Sequence, residues 1–187
     1  MYDVSELRKG LKVEIDGVPY MITEFSFMKP GKGQAVYSCK MKSLLNGVTT
    51  VRNYRSGDKV DQPQMEHKKL QFSYMDGDSY VFIDSNYEQV SLSKEVLGTA
   101  RFFMKEDLPI EVMYHNGRPI EVSLPTFIER AVISTEPGAR GNTATNVFKP
   151  ATLEGGYEMQ VPLFINVGDV LVIDTRTGEY SERVGKK

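Results

Sequence analysis

Four dipeptides constrain this chain more than any other feature: Asp16-Gly17, Asn46-Gly47, Asp76-Gly77 and Asn116-Gly117. Each stands between short runs in which apolar and polar residues alternate, as in LKVEI-DG-VPYMITEF. Asp, Asn and Gly tolerate the positive backbone angles that tight hairpin turns need, and an alternation of period two gives a strand one buried and one wet face. A chain with this punctuation folds as successive antiparallel hairpins, so the expected class is mainly β.

Residues 10–64 read as a compact antiparallel barrel of about five strands, with Ser56-Gly57-Asp58 as the last break. The polar, apolar-poor segment KVDQPQMEHKK (59–69) reads as a linker. KLQFSYMDGDSYVFIDSNYEQVSL supplies two or three further strands. In SKEVLGTARFFMKED (93–107), Val96, Leu97, Ala100, Phe103 and Met104 recur at helical spacing. Ser93 is the candidate N-cap and Glu95 lies in the first turn, which predicts one short helix with its apolar stripe in the core. PIEVMYHNGRPIEVSL returns to strands, and PTFIERAVISTEPG opens a third unit. Residues 138–156, GARGNTATNVFKPATLEGG, read as one long loop of a length that is usually functional or disordered. The expected organisation is three small β-barrels in a row, cut at about 64 and 128: residues 1–64, 65–128 and 129–187. Strands at this spacing suit OB-type barrels, a fold that commonly binds oligonucleotides.

The chain has 187 residues with 40% apolar and 26% charged side chains, enough to bury a real core. The net charge is −2, but it is unevenly spread. The first third carries +3, the second −4 and the last −1. A basic end can hold RNA phosphate while the rest keeps the protein soluble. No apolar run approaches the roughly 20 residues of a membrane helix, and MYDVSELRKG lacks the apolar stretch of a secretory signal. The single cysteine, Cys39, cannot form an internal disulfide and reads as a small strand residue in a reducing compartment. These features point to the cytoplasm. P-loop spacing, G-x-S-x-G, C-x-x-C and H-E-x-x-H are all absent. His67 and His115 both sit in polar sequence, and with one Cys they offer no usual metal-ligand set. Asp169 and Asp174 read as turn residues. No enzyme, cofactor or metal is expected.

One stretch remains. In MKPGKGQ (28–34), Lys32 stands between Gly31 and Gly33, just after Pro30. Pro30-Gly31 suits the central positions of a type II turn, whose second residue needs positive φ. Gly33 permits another unusual angle. With FSF and QAVYS as flanking strands, Lys32 is expected to project from a hairpin tip.

KPGKGQA, together with LRKGLKVEIDGVPYMITEF, YRSGDKV, HNGRPIEVSLP, TEPGARGNTA, KPATLEGG, VPLFINVGD and DTRTGEYSERV, resembles the bacterial elongation factor P family over essentially the whole chain. That resemblance implies an SH3-like (KOW-type) N-terminal domain followed by two OB folds, in an L-shaped, tRNA-like molecule. It implies a monomer that binds the 70S ribosome between the P and E sites, beside P-site peptidyl-tRNA, and relieves stalling at consecutive prolines. Lys32 then reaches toward the CCA end and is a site for extension by a lysine-modifying enzyme, of β-lysyl type in similar contexts. Lys29, Pro30, Gly31 and Gly33 support it, and Lys40, Lys42, Arg52 and Arg55 are candidate tRNA contacts. The family's Gly-Asp-Thr motif in the long loop corresponds to Gly141, Asn142 and Thr143 here, a substitution that removes a charge. Arg140, Tyr180 and Arg183 are further candidate RNA contacts. An elongation-factor-P-like paralogue and a generic OB-fold RNA-binding protein are the alternatives.

Overall fold

The computed structural model describes residues 1–106, 108–138 and 147–186. Strand dominates. A short strand β1 (Tyr2–Asp3) leads into a 3-10 turn, Val4–Glu6. Asp3 caps that turn, accepting from Ser5 while Glu6 reaches back to the Asp3 amide. Next come β2 (Lys12–Ile15), β3 (Val18–Met28), β4 (Val36–Ser43) and β5 (Thr49–Arg55), a four-stranded antiparallel sheet in sequence order. β6 (Lys59–Val60) returns to pair with β1.

β7 (Met65–Asp76), β8 (Ser79–Ile83), β9 (Gln89–Ser93), β10 (Pro109–His115) and β11 (Arg118–Ser123) form a five-stranded sheet in the order β11-β10-β7-β8-β9. β12 (Phe127–Thr135), β13 (Phe148–Leu153), β14 (Glu158–Pro162), β15 (Asp169–Asp174) and β16 (Glu179–Lys186) form another, in the order β14-β13-β12-β15-β16. The described residues gather into two compact units, Met1–His67 with Met113–Glu121, and Lys68–Val112 with Val122–Lys187.

All four dipeptides fall at hairpin bends, but only two form a turn with paired positive angles; at Asn46-Gly47 and Asp76-Gly77 only the glycine takes positive φ, 75° and 58°. Asp16 and Gly17 take φ of 52° and 78°, and Asn116 and Gly117 take 49° and 76°. Two successive positive angles match the right-handed twist of the strands they join. Val4, Leu7, Val13, Ile22, Cys39, Met41 and Val60 form the core of the first unit, with Tyr20, Phe25, Tyr37 and Tyr54 packed around it.

Four expectations need correction. Residues 93–107 hold one α-helical turn, Lys94–Leu97, followed by a 3-10 stretch, Gly98–Phe103. Ser93 is the cap, accepting from the Val96 amide, but Gly98 at φ 55° stops the α-helix after one turn. The stripe still packs inward at Leu97, Ala100 and Phe103. The long loop read over 138–156 contains strand β13, whose Lys149 and Ala151 are buried. The linker read over 59–69 is only residues 61–64, since β6 and β7 occupy its ends. Finally, Asp169, read as a turn residue, is the first residue of β15 and is fully buried.

The second unit is tied together around the 3-10 stretch. Arg130 on β12 is buried and donates to the carbonyls of Phe103 and Glu129. Burial pushes its guanidinium pKa down, and Glu154 opposes that shift. The Phe103 ring lies 4.5 Å from that of Tyr157, whose hydroxyl donates to the Gly178 carbonyl. A Cβ on Gly155 would stand 2.7 Å from the Phe102 carbonyl oxygen.

Candidate nucleic-acid interface

Residues 29–35 connect β3 to β4, the most extensively paired hairpin of the first unit, with register from Tyr20↔Ser43 to Met28↔Val36. Lys29, Pro30, Gly31, Lys32, Gly33 and Gln34 are all exposed. Lys32 thus stands at the tip of a long two-stranded arm, as expected. The turn chemistry differs from expectation. Gly31 does not take positive φ, so the type II turn is absent. Gly33 is the glycine the backbone requires: its φ is 155°, and a Cβ there would sit 3.2 Å from the Pro30 ring. A Cβ on Gly31 would meet nothing.

Register decides which cations share a face. Cys39 and Met41 point into the core, so Lys40 and Lys42 point outward on β4. Arg55 lies opposite Val36 and joins that outer face. Arg52 lies opposite Cys39 and belongs to the other face, where it reaches Asp16 at 3.4 Å. Lys40 is paired at 2.8 Å with Glu24, directly across the strands, and the bond from Lys40 holds the Glu24 carboxyl pKa below its ordinary value. The side chains of Lys29, Lys32, Lys42 and Arg55 have no carboxylate partner among the described residues. Between Glu24 and Asp58 the chain holds six Lys or Arg and no acid, so the arm is electropositive beyond what the thirds of the sequence suggest.

An aromatic row crosses the same arm. Phe27 lies opposite Tyr37, and Tyr37 lies opposite Tyr54. The Phe27 and Tyr37 rings are 4.9 Å apart and tilted by 49°, and Phe25 stands 6.2 Å from Tyr37. Phe27 remains 52% exposed. Sequence reasoning treated FSF only as a flanking strand, because pairing across strands is invisible until register is known.

In the second unit, Tyr180 is half-buried on β16 opposite Ile173. Arg183 lies with its guanidinium 5.3 Å from the centre of the half-exposed Phe164 ring and 3.5 Å from Asp169. Asp169 Oδ2 also accepts from the Asn166 amide at 2.9 Å, while Oδ1 has no partner among the described residues. Arg140, Gly141, Asn142 and Thr143 lie outside the described residues.

Cys39 is fully buried, and desolvation pushes its thiol pKa up, so it is a packing residue. His115, in polar sequence, is buried in the fold. It is 4% exposed, with Nε2 2.8 Å from the Glu14 carboxylate, and it pins the β10–β11 hairpin to β2 within the first unit. Among the described residues, no three His, Cys, Asp or Glu are grouped to hold a metal, and no helix is long and apolar enough to cross a membrane.

A four-stranded sheet bearing a basic hairpin is thus joined in sequence to two five-stranded antiparallel sheets. The solved structure of eukaryotic translation initiation factor 5A from Methanococcus jannaschii is similar, with TM-score 0.55 and 26% identity over 65% of this chain and 94% of that one. A translation initiation factor 5A family protein from Naegleria fowleri shares the fold at TM-score 0.51 and 20% identity, over 66% of this chain and 96% of that one. Family models match throughout: the elongation factor P KOW-like domain over 3–60, the elongation factor P OB domain over 65–122 and the elongation factor P C-terminal domain over 128–183. Elongation factor P of Desulfosudis oleivorans is 47% identical over 187 residues, covering 100% of both chains. That of Desulfotalea psychrophila is 43% identical over 185 residues, covering 98% of this chain and 99% of the relative. The chain belongs to the elongation factor P family and is a translation elongation factor.

Proposed function

We propose that this factor binds the ribosome between the P and E sites and positions peptidyl-tRNA for peptide-bond formation at consecutive prolines. One observation carries the reading: Lys32 is exposed at the tip of a paired arm that has no acidic residue between Glu24 and Asp58. Such a tip suits a crowded, phosphate-rich space, where one extended cation on a stiff support gives reach without bulk. Proline fixes its own φ and restricts its neighbour, so a nascent chain ending in prolines holds its ester poorly for attack. Holding the tRNA end restores orientation, which supplies a large share of such a barrier. The factor works by positioning and carries out no chemistry of its own.

In this reading a lysine-modifying enzyme extends Lys32, in β-lysyl fashion. Lys29, Lys42 and Arg55 contact tRNA phosphate, with Lys40 and Arg52 secondary because each already has a carboxylate partner. Arg183 and Tyr180 meet RNA from the last domain, as do Arg140, Gly141, Asn142 and Thr143. The domains run 1–64, 65–128 and 129–187, and the protein acts as a cytoplasmic monomer.

The test is a reconstituted translation assay on a message with three consecutive prolines. The wild-type protein from its native host relieves the stall, and Lys32→Ala loses at least about tenfold in the rate of that step, equivalent to about 1.4 kcal/mol. Full relief by Lys32→Ala overturns the reading. Tandem mass spectrometry of the native peptide spanning Lys32 checks the modification separately.

A further inference from the structure

We infer that Phe27, backed by Tyr37, is a stacking site for one unpaired nucleobase of the RNA that Lys32 approaches. The inference rests on the ribosome reading above and adds a residue and a ligand class to it.

Three observations converge on this place. Phe27 is a large apolar side chain left 52% exposed, one residue before β3 gives way to the Lys32 loop. It does not belong to the group of aromatic residues packed around the core of the unit, whereas Phe25, Tyr37 and Tyr54 do. The ring is nevertheless held: Tyr37 lies directly across the strand pair at 4.9 Å, and Tyr54 continues the row on the next strand. A held, half-exposed ring offers a π-surface that loses little side-chain freedom when a flat partner settles on it. The surroundings then select the partner. Lys29 and Lys32 follow within five residues, and neither has a carboxylate partner among the described residues. An apolar protein partner gains nothing from that excess of cations. An RNA strand uses both features, its phosphates on the lysines and one base on the ring, which is how single-stranded nucleic acid is generally held. Base-paired RNA has no free face to offer, so the occupant is an unpaired base.

The chain contains no tryptophan, so Phe27→Trp places a single reporter at the site. The experiment uses the full-length protein with ribosomes carrying P-site tRNA, and sedimentation gives the bound fraction independently of fluorescence. Stacking is expected to quench the indole emission of the Phe27→Trp variant by about half or more in the bound state. A control variant, Tyr87→Trp, carries its indole in the exposed turn between β8 and β9 and stays unquenched. Phe27→Ala and Phe27→Leu weaken binding by roughly 5- to 150-fold, the range seen when a stacked aromatic is truncated. Phe27→Tyr stays within about threefold. The leucine variant separates the inference from a merely structural role. Leu keeps the apolar bulk but has no π-face, so normal binding by Phe27→Leu overturns stacking. Binding of Phe27→Trp with unchanged indole emission also overturns it. If neither wild type nor variants sediment with ribosomes, the ribosome reading fails and this inference fails with it.

Discussion

Gly31 and Gly33 flank the same lysine yet answer to different physics. Gly33 takes a backbone angle that side chains rarely adopt, and its missing Cβ leaves room for the Pro30 ring. Gly31 takes an ordinary angle and faces open space. Gly33→Ala is therefore expected to strain the loop by about 1–3 kcal/mol, which the loop relieves by rearranging. Gly31→Ala is expected to change stability by no more than about 0.5 kcal/mol. Thermal melts give the two stabilities, and the amide shifts of residues 29–35 show whether the loop has moved. A larger loss at Gly31 than at Gly33 would reverse the assignment. At this scale the sequence was partly legible. Lys32 on a hairpin tip follows from the flanking alternation, but which glycine carries the unusual angle depends on how Pro30 folds back, and that is a contact across three residues.

At the scale of elements, the 3-10 stretch Gly98–Phe103 is the joint of the second unit. Its helical spacing could be read from sequence, but its interruption at Gly98 was missed because an apolar stripe registers period and ignores backbone angle. The turn that meets it is equally constrained. Gly155 has φ 90°, and a Cβ would stand 2.7 Å from a backbone oxygen, which cannot swing aside as a side-chain end could. Gly155→Ala is expected to cost about 2–3 kcal/mol, roughly 5–10 °C in Tm. Differential scanning calorimetry checks this, with Gly156→Ala as a comparison: φ is also positive there, but the space is open. The buried Arg130 between the same elements had no sequence signal, since it occupies an alternating strand where charge usually marks the wet face. It is tolerated because its N–H groups are spent on the carbonyls of Phe103 and Glu129.

For the whole molecule, the net charge of −2 conceals one basic arm. Binding to RNA should fall steeply with salt, because each phosphate contact releases counterions. Neutralising Lys42 or Arg55 is expected to reduce the slope of log K against log salt by about 1 each. Lys40→Ala is expected to reduce it by less than half as much, since Glu24 already compensates Lys40. Ribosome sedimentation across a salt series measures all three slopes. Equal slopes for Lys40→Ala and Lys42→Ala would mean that the Glu24 pairing opens on binding.

The sequence alone determined the mainly β class, the positions of the Asp-Gly and Asn-Gly hairpins, the exposed Lys32 and the family. All of these are local: a turn needs only its own residues, and a motif only its own order. Tertiary structure decided the rest. Strand register put Arg52 on the opposite face from Lys42 and Arg55, set Phe27 against Tyr37, and joined Glu24 to Lys40. Packing buried Asp169 and Arg130 and brought His115 to Glu14 across 101 residues of chain. The reason is the same in each case. A period-two pattern says that side chains alternate, but which strand lies beside which, and in what register, is a long-range choice made by the core as a whole.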